Sequence, residues 1–141
     1  MNAFKSSTLA SVVLLSALAM TGCANSPAAI SMLSEEELKA TNSNVLCHAL
    51  GANNSEKARQ ELVARNLFTP EEWGYISAKS VAIGMSELAM ICSLGAPVPG
   101  YGGVNTTASA NGVTKQYVYE HPMRSTRYIY VTNGRVSSFQ F

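Results

Sequence analysis

The sequence predicts an α+β domain: N-terminal short helices followed by a three- to four-stranded antiparallel β-meander, with the helices packed on one face. Three observations carry that prediction. Capping signatures recur from Ser34 to Ser86, each followed by apolar residues at helical spacing. Beyond Val104 the spacing switches to alternation of apolar and polar residues. Two Asn-Gly pairs, Asn111-Gly112 and Asn133-Gly134, punctuate the alternating part as type I′ hairpin turns.

Taken in order, Ser34-Glu-Glu-Glu37 forms a capping box in which Ser34 accepts from free amides and Glu37 reaches back, with Leu33 placed to staple onto Leu38. Thr41-Asn-Ser-Asn44 competes with the helical backbone and predicts a second start. The helix that follows carries Val45, Leu46, Ala49 and Leu50 on one face and is expected to stop at Gly51. Asn54-Ser55 caps a third piece through Arg65, with Ala58, Leu62 and Val63 inward and Asn66 closing it. Its charged residues Glu56, Lys57, Arg59, Glu61 and Arg65 read as a solvated face with local ion pairs. Thr69-Pro-Glu-Glu72 starts a fourth helix, with Pro70 where a missing amide does no harm. Phe68 and Trp73 sit at stapling distance and belong to the core, or alternatively to an aromatic ligand platform. Ser86 caps a fifth helix with Leu88, Ile91 and Cys92 facing one way, ended by Gly95 and Pro97.

The Pro- and Gly-rich stretch from Val98 to Gly103 is expected to be an exposed binding loop around Tyr101; its glycines lack the spacing and the lysine of a phosphate cradle. Strands are expected near Val104 to Ala110, from Val113 to Glu120, from Arg127 to Thr132 and from Arg135 to Phe141, with His121 to Thr126 joining the middle pair.

The start of the chain predicts an address. A short polar segment with Lys5 and an apolar run from Leu9 to Met20 have the form of a secretory signal, too short for a spanning helix of about 20 residues. Leu18-Ala-Met-Thr-Gly-Cys23 resembles the lipobox of bacterial lipoproteins. That resemblance implies residues 1–22 as signal peptide and Cys23 as the lipidated first residue, carrying covalent diacylglycerol and fatty acyl groups such as palmitate; no other cofactor is expected. An ordinary secreted protein cut near the same place is the alternative. Residues 23–33 then form a flexible tether and 34–141 one domain, helical over 34–78.

With Lys5 in the signal, the remaining chain carries nine cations and nine acids, which argues against nucleic acid as a partner. All nine acids are Glu, so calcium loops of the EF-hand kind and Asp-containing triads are excluded on inventory. Lipidation of Cys23 leaves Cys47 and Cys92, both on inward helix faces, as a pair that an oxidising periplasm would bridge. Two separate buried thiols are the other reading. His48 and His121 with the cysteines show no zinc-ligand spacing, and Glu71 and Glu72 are explained by capping before they are explained as acid and base, so neither a metal site nor a catalytic residue is expected. Tyr117, Tyr119, Tyr128 and Tyr130 are divided between core and contact surface and join Tyr101 as candidate partner-binding residues.

From Gly84 to Pro97 the pattern Gly-Met-Ser, seven residues, then Leu-Gly-Ala-Pro is similar to the opening of the SmpA/OmlA (BamE-like) domain of outer-membrane lipoproteins. Gln116-Tyr-Val-Tyr119, Tyr128-Ile-Tyr130 and Asn133-Gly-Arg-Val136 resemble that domain's strands, so 84–141 is the part covered. The resemblance implies an outer-membrane location facing the periplasm and a role as a non-enzymatic, protein-binding accessory in outer-membrane assembly or maintenance. Ala24, in place of the Asp that retains enteric lipoproteins at the inner membrane, points the same way by family analogy. The expected partners are the membrane, through the anchor, and another envelope protein. An envelope inhibitor or phage-exclusion lipoprotein, and a periplasmic small-ligand binder, are the rival functions.

Overall fold

The computed structural model describes residues 29–141; the expected signal (1–22), the expected lipidation at Cys23 and residues 24–28 of the expected tether lie outside the described part. A 3-10 turn, Ala29–Met32, precedes five helices: α1 (Glu35–Ala40), α2 (Ser43–Asn53), α3 (Glu56–Ala64), α4 (Pro70–Ser77) and α5 (Glu87–Leu94). Four strands follow, β1 (Gly102–Ser109), β2 (Gly112–His121), β3 (Arg124–Thr132) and β4 (Arg135–Gln140), in the order β1-β2-β3-β4 and antiparallel throughout. The molecule is therefore an α+β fold with helices packed against a meander.

Helix starts follow the local chemistry of the sequence. Ser34 and Thr69 each make a complete capping box, with Glu37 and Glu72 respectively, and Asn42, Ser55 and Ser86 cap α2, α3 and α5. Helix ends follow it less closely. Gly51 does not stop α2, which runs on to Asn53 and closes on Asn54 with φ 53°. The reason lies in packing. Helices α2 and α5 lie side by side and run in the same direction, so that Cys47 meets and bridges to Cys92 and, one turn on, Gly51 meets Gly95. A Cβ on Gly51 would collide with the Gly95 amide nitrogen and come 2.5 Å from the Ile91 carbonyl oxygen. Gly51 is thus a contact glycine inside a helix, while Gly95, at φ 78°, does end α5 as expected.

The charged residues of α3 form the expected local ion pairs, Glu56 with Arg59 at 3.6 Å and Glu61 with Arg65, but Lys57 and Arg65 also fasten the helix to its neighbours. Arg65 pairs with Glu61 at 2.8 Å and donates to Ser43 Oγ (2.9 Å) and to the carbonyls of Leu38 and Lys39 (3.1 Å each), tying the end of α1 and the start of α2 to the end of α3. At the other end of α3, Lys57 donates to the Leu33 carbonyl. Arg59 lies over the Trp73 ring, 5.8 Å from its centroid. Val63, expected inward, is exposed, whereas Ala58 and Leu62 are fully buried. Trp73 packs on the core, edge to face with Phe68 at 5.3 Å. The Arg65→Met variant keeps the aliphatic packing and deletes the fork of donors, so it is expected to lose about 1.5–3 kcal/mol in urea unfolding; an unchanged midpoint would show that these bonds are replaced by water without loss.

Helices and sheet are joined at the edge of β4. Gly84 N–H donates to Val136 O (2.8 Å), Val136 N–H to Met85 O (2.9 Å) and Glu87 N–H to Gly134 O (2.9 Å), so the Gly84-Met-Ser86 link pairs with β4 before α5 begins. Arg135 donates to Gly84 O at 2.8 Å. Among the described residues no strand pairs with the outer edge of β1.

Turn chemistry corrects one expectation and supports another. Asn133-Gly134 occupies the two loop positions with φ 50° and 79°, the signature of a type I′ turn. Asn111-Gly112 does not: Ser109 pairs with Gly112, which leaves Ala110-Asn111 as the loop, and Asn111 has no positive φ. Gly112 is required by its own φ of 119° and by close approach, since a Cβ there would strike the side chain of Asn133, whose Oδ1 accepts from Val113 N–H at 3.0 Å. The His121 to Thr126 joint is also tighter than expected. His121 pairs with Arg124, so only Pro122-Met123 turns the chain.

Candidate functional site

Strand alternation sorts the five candidate tyrosines onto different surfaces. Tyr117 and Tyr119 face the helices. Tyr117 is 5 % exposed and its hydroxyl donates to Glu87 Oε1, which Lys115 also approaches at 2.8 Å; Tyr119 donates to the Gly95 carbonyl at 2.9 Å. Burial pushes both phenols up, and for Tyr117 the Glu87 carboxylate pushes further in the same direction. Of the two readings open for these residues, core and contact surface, the register that pairs Tyr117 with Ile129 turns both toward the helices, with Tyr117 buried and Tyr119 packed partly buried against the core, so that they hold α5 to the sheet.

Tyr128 and Tyr130 lie on the opposite, open face. The register sets Tyr130 beside Gln116 on β2 and Ser138 on β4, and Tyr128 beside Val118 and Gln140. Side chains link across the strands: Asn105 donates to Gln116 Oε1 at 3.1 Å and Gln116 to the Tyr130 hydroxyl at 3.0 Å. A row of neutral polar groups, Asn105, Gln116, Tyr130 and Ser138, thereby crosses all four strands, and charge enters only at the ends of the face with Glu120 and Arg135. Such a charge-depleted, tyrosine-bearing centre with a charged rim has the composition of a protein-contact surface. Sequence reasoning missed Asn105 and Gln116; only the hairpin register brings them to Tyr130.

Tyr101 sits apart, exposed on the turn that feeds β1, with its carbonyl accepting from Glu120 N–H at 2.9 Å. It belongs to the end of the sheet and not to the open face.

The carboxylates of α4 border a cleft of about 480 Å³ shared with Gly84, Ser86 and Arg135. Glu71 accepts from the Tyr75 hydroxyl at 3.2 Å. Glu72 joins two helix starts: Oε2 accepts from its own cap, Thr69 N–H (3.2 Å), and Oε1 from Ser86 N–H, the cap of α5 (2.9 Å). Partial burial pushes this carboxyl up, but the amides of Ser86 and Thr69 outweigh it, and the net shift is below the ordinary 4.5. A lowered folded value gives stability that is present above the unfolded value and lost as pH falls through the folded one. Acid titration of the Glu72→Gln variant is therefore expected to show a shallower loss of stability below pH 4.5 than the parent; superimposable acid limbs would remove Glu72 as a contributor.

Cys47 and Cys92 are bonded to each other, which withdraws both thiols from ligand or nucleophile roles. Among the described residues no group of three or more His, Cys or carboxylate side chains is arranged to hold a metal ion, and no helix is long and apolar enough to cross a membrane. No family model, no curated protein and no solved structure matches the chain.

Proposed function

We propose that this chain is a lipid-anchored, non-catalytic envelope protein that binds another envelope protein through the open face of its sheet, as an accessory to outer-membrane assembly or maintenance. The observation that carries the proposal is the uncharged row of Asn105, Gln116, Tyr130 and Ser138 beside Tyr128, on the face turned away from the helices. Tyrosines offer large contact area with little entropy to lose, and amides and hydroxyls supply adaptable hydrogen bonds. The lipobox-like Leu18 to Cys23 supports the anchor, the Cys47–Cys92 bridge is consistent with an oxidising compartment, and the similarity of 84–141 to the SmpA/OmlA domain supports the outer membrane as the address.

A photo-crosslinking amino acid placed at Tyr130 in intact cells tests the contact. The expected result is a discrete adduct from position 130 and none from Tyr117, which faces the core. Equal patterns from both positions, or no adduct from 130, would remove the open face as the site. As an orthogonal measurement, the Tyr130→Arg variant is expected to keep its thermal midpoint within a few degrees, as surface changes of under about 0.5 kcal/mol do, while losing the adduct formed from Tyr128.

A further inference from the structure

The end of the sheet formed by the start of β1, the β2–β3 turn and the end of β4 combines exposed apolar side chains with cations. Val98, Tyr101, Met123 and Phe141 are each more than half exposed, a density of large apolar groups found nowhere else on the described surface of the sheet. Arg124 and Arg127 lie among them, with the Arg127 guanidinium 5.2 Å from the centre of the Phe141 ring. Among the described residues Glu120 is the one carboxylate side chain in the same rows, and His121 follows it at the turn. The opposite end of the sheet presents the neutral turn residues Asn111 and Asn133 instead.

Hydrogen bonds fix where this end lies relative to the beginning of the described chain. Tyr119 bonds to Gly95, at the C-terminal end of α5, and Gly95 meets Gly51 near the C-terminal end of α2. Helix α3 runs back along α2, since Arg65 at its end reaches Ser43 at the start of α2. The start of α3 is therefore at the same end as Gly51, and there Lys57 donates to the Leu33 carbonyl, just after the Ala29–Met32 turn. Ala29 and the apolar-cationic patch thus occupy one end of the molecule. Only residues 24–28 separate Cys23 from Ala29, a length that reaches at most about 20 Å when fully extended.

From this placement we propose that Val98, Tyr101, Met123, Phe141, Arg124 and Arg127 form a membrane-docking surface that seats the domain end-on upon an anionic phospholipid bilayer. The inference rests on lipidation of Cys23, which would hold this end against the bilayer. Apolar side chains enter the headgroup boundary, Tyr101 takes the interfacial depth that tyrosine favours, and the two guanidiniums meet lipid phosphates. Docking in this sense orients the domain so that the open face of the sheet stands perpendicular to the membrane, accessible to a neighbour in the same leaflet.

The test uses the lipidated protein reconstituted into vesicles of phosphatidylethanolamine with phosphatidylglycerol. The Met123→Cys and Asn111→Cys variants carry a nitroxide label on the one free thiol, the 47–92 pair being bridged. The label at 123 is expected to be shielded from an aqueous relaxation agent and the label at 111 open to it. Reversing both arginines, Arg124→Glu with Arg127→Glu, is expected to lower the ratio of shielded to open label by about 25-fold or more, from about fivefold per arginine near an anionic surface. If the protein floats with the vesicles but both labels are equally open, docking is overturned and the anchor stands. If it does not float and its mass shows no acyl groups, the anchor is overturned and the docking with it. Shielding at 123 in native membranes but not in protein-free vesicles would make the occupant a protein and overturn the lipid assignment.

Discussion

Gly51→Ala is expected to destabilise the protein by about 3 kcal/mol or more, although the same change on an exposed helix gains about 0.5–1 kcal/mol. The sign is decided by the neighbour. The added methyl would collide with the backbone nitrogen of Gly95 and come 2.5 Å from the Ile91 carbonyl. Backbone cannot rotate away as a flexible side chain can, so α2 must lift off α5 along the turn that follows Cys47. The displacement carries a second readout, because a separated pair of helices cannot close the 47–92 bridge. Urea unfolding should show the lowered midpoint, and alkylation of the unreduced variant should label Cys47 and Cys92, which the parent protects. A variant as stable as the parent, with both thiols still bridged, would mean that the two helices are not held at this distance. Gly95→Ala offers an independent check at the same contact: a Cβ there lies 3.2 Å from Ala52 N, and φ of 78° is unfavourable for alanine in any space.

Loss of the disulfide is the second large effect. The bridge joins residues 45 apart in sequence, and the entropy of closing a loop of that length in the unfolded chain corresponds to about 4 kcal/mol at 25 °C. For a domain of this size that is a large part of the usual net stability of about 5–15 kcal/mol. Cys47→Ala with Cys92→Ala, or reduction of the parent, is therefore expected to lower the thermal midpoint by tens of degrees or to leave the chain unfolded at 37 °C. The double variant should be insensitive to added reductant. If reduction shifts the parent by less than about 1 kcal/mol, the loop-entropy account of disulfide stabilisation does not describe this bridge. Both experiments act on the same seam, so Gly51→Ala introduced into the cysteine-free background should have a smaller effect than in the parent, the coupling expected of residues that share a contact.

Much of the local structure is legible in the sequence because its causes are local. Ser34 with Glu37 and Thr69 with Glu72 satisfy amides three residues away, so a few residues suffice to place those helix starts. Asn133-Gly134 supplies two positive-φ residues in succession and sets the β3–β4 turn. Structure departs from local pattern where a distant group intervenes. Gly51 has the context of a terminator and is a contact glycine for α5; Gly112 has that of a turn residue and makes room for Asn133; Arg65 has that of a solvated cation and holds three carbonyl or hydroxyl partners from α1 and α2. The candidate tyrosines are half sorted in the same way. Alternation separates Tyr117 and Tyr119 from Val118, and Tyr128 and Tyr130 from Ile129, but says nothing of which set meets the helices.

By itself the sequence determined the fold class, the helix starts, the pairing of Cys47 with Cys92 as a candidate bridge, and the alternation of the strands, all of which depend on residue type and short spacing. Only the tertiary structure decided which tyrosines are buried, which glycines are contacts, and that Asn105, Gln116 and Tyr130 share one row while Tyr101, Met123 and the arginines share one end. Those facts depend on register and on the direction in which one helix lies against another, and a one-residue slip of register would exchange the two faces of the sheet. The contact energies that choose the register come from residues far apart in the chain, such as Tyr117 with Glu87 and Tyr119 with Gly95, and no local pattern contains them.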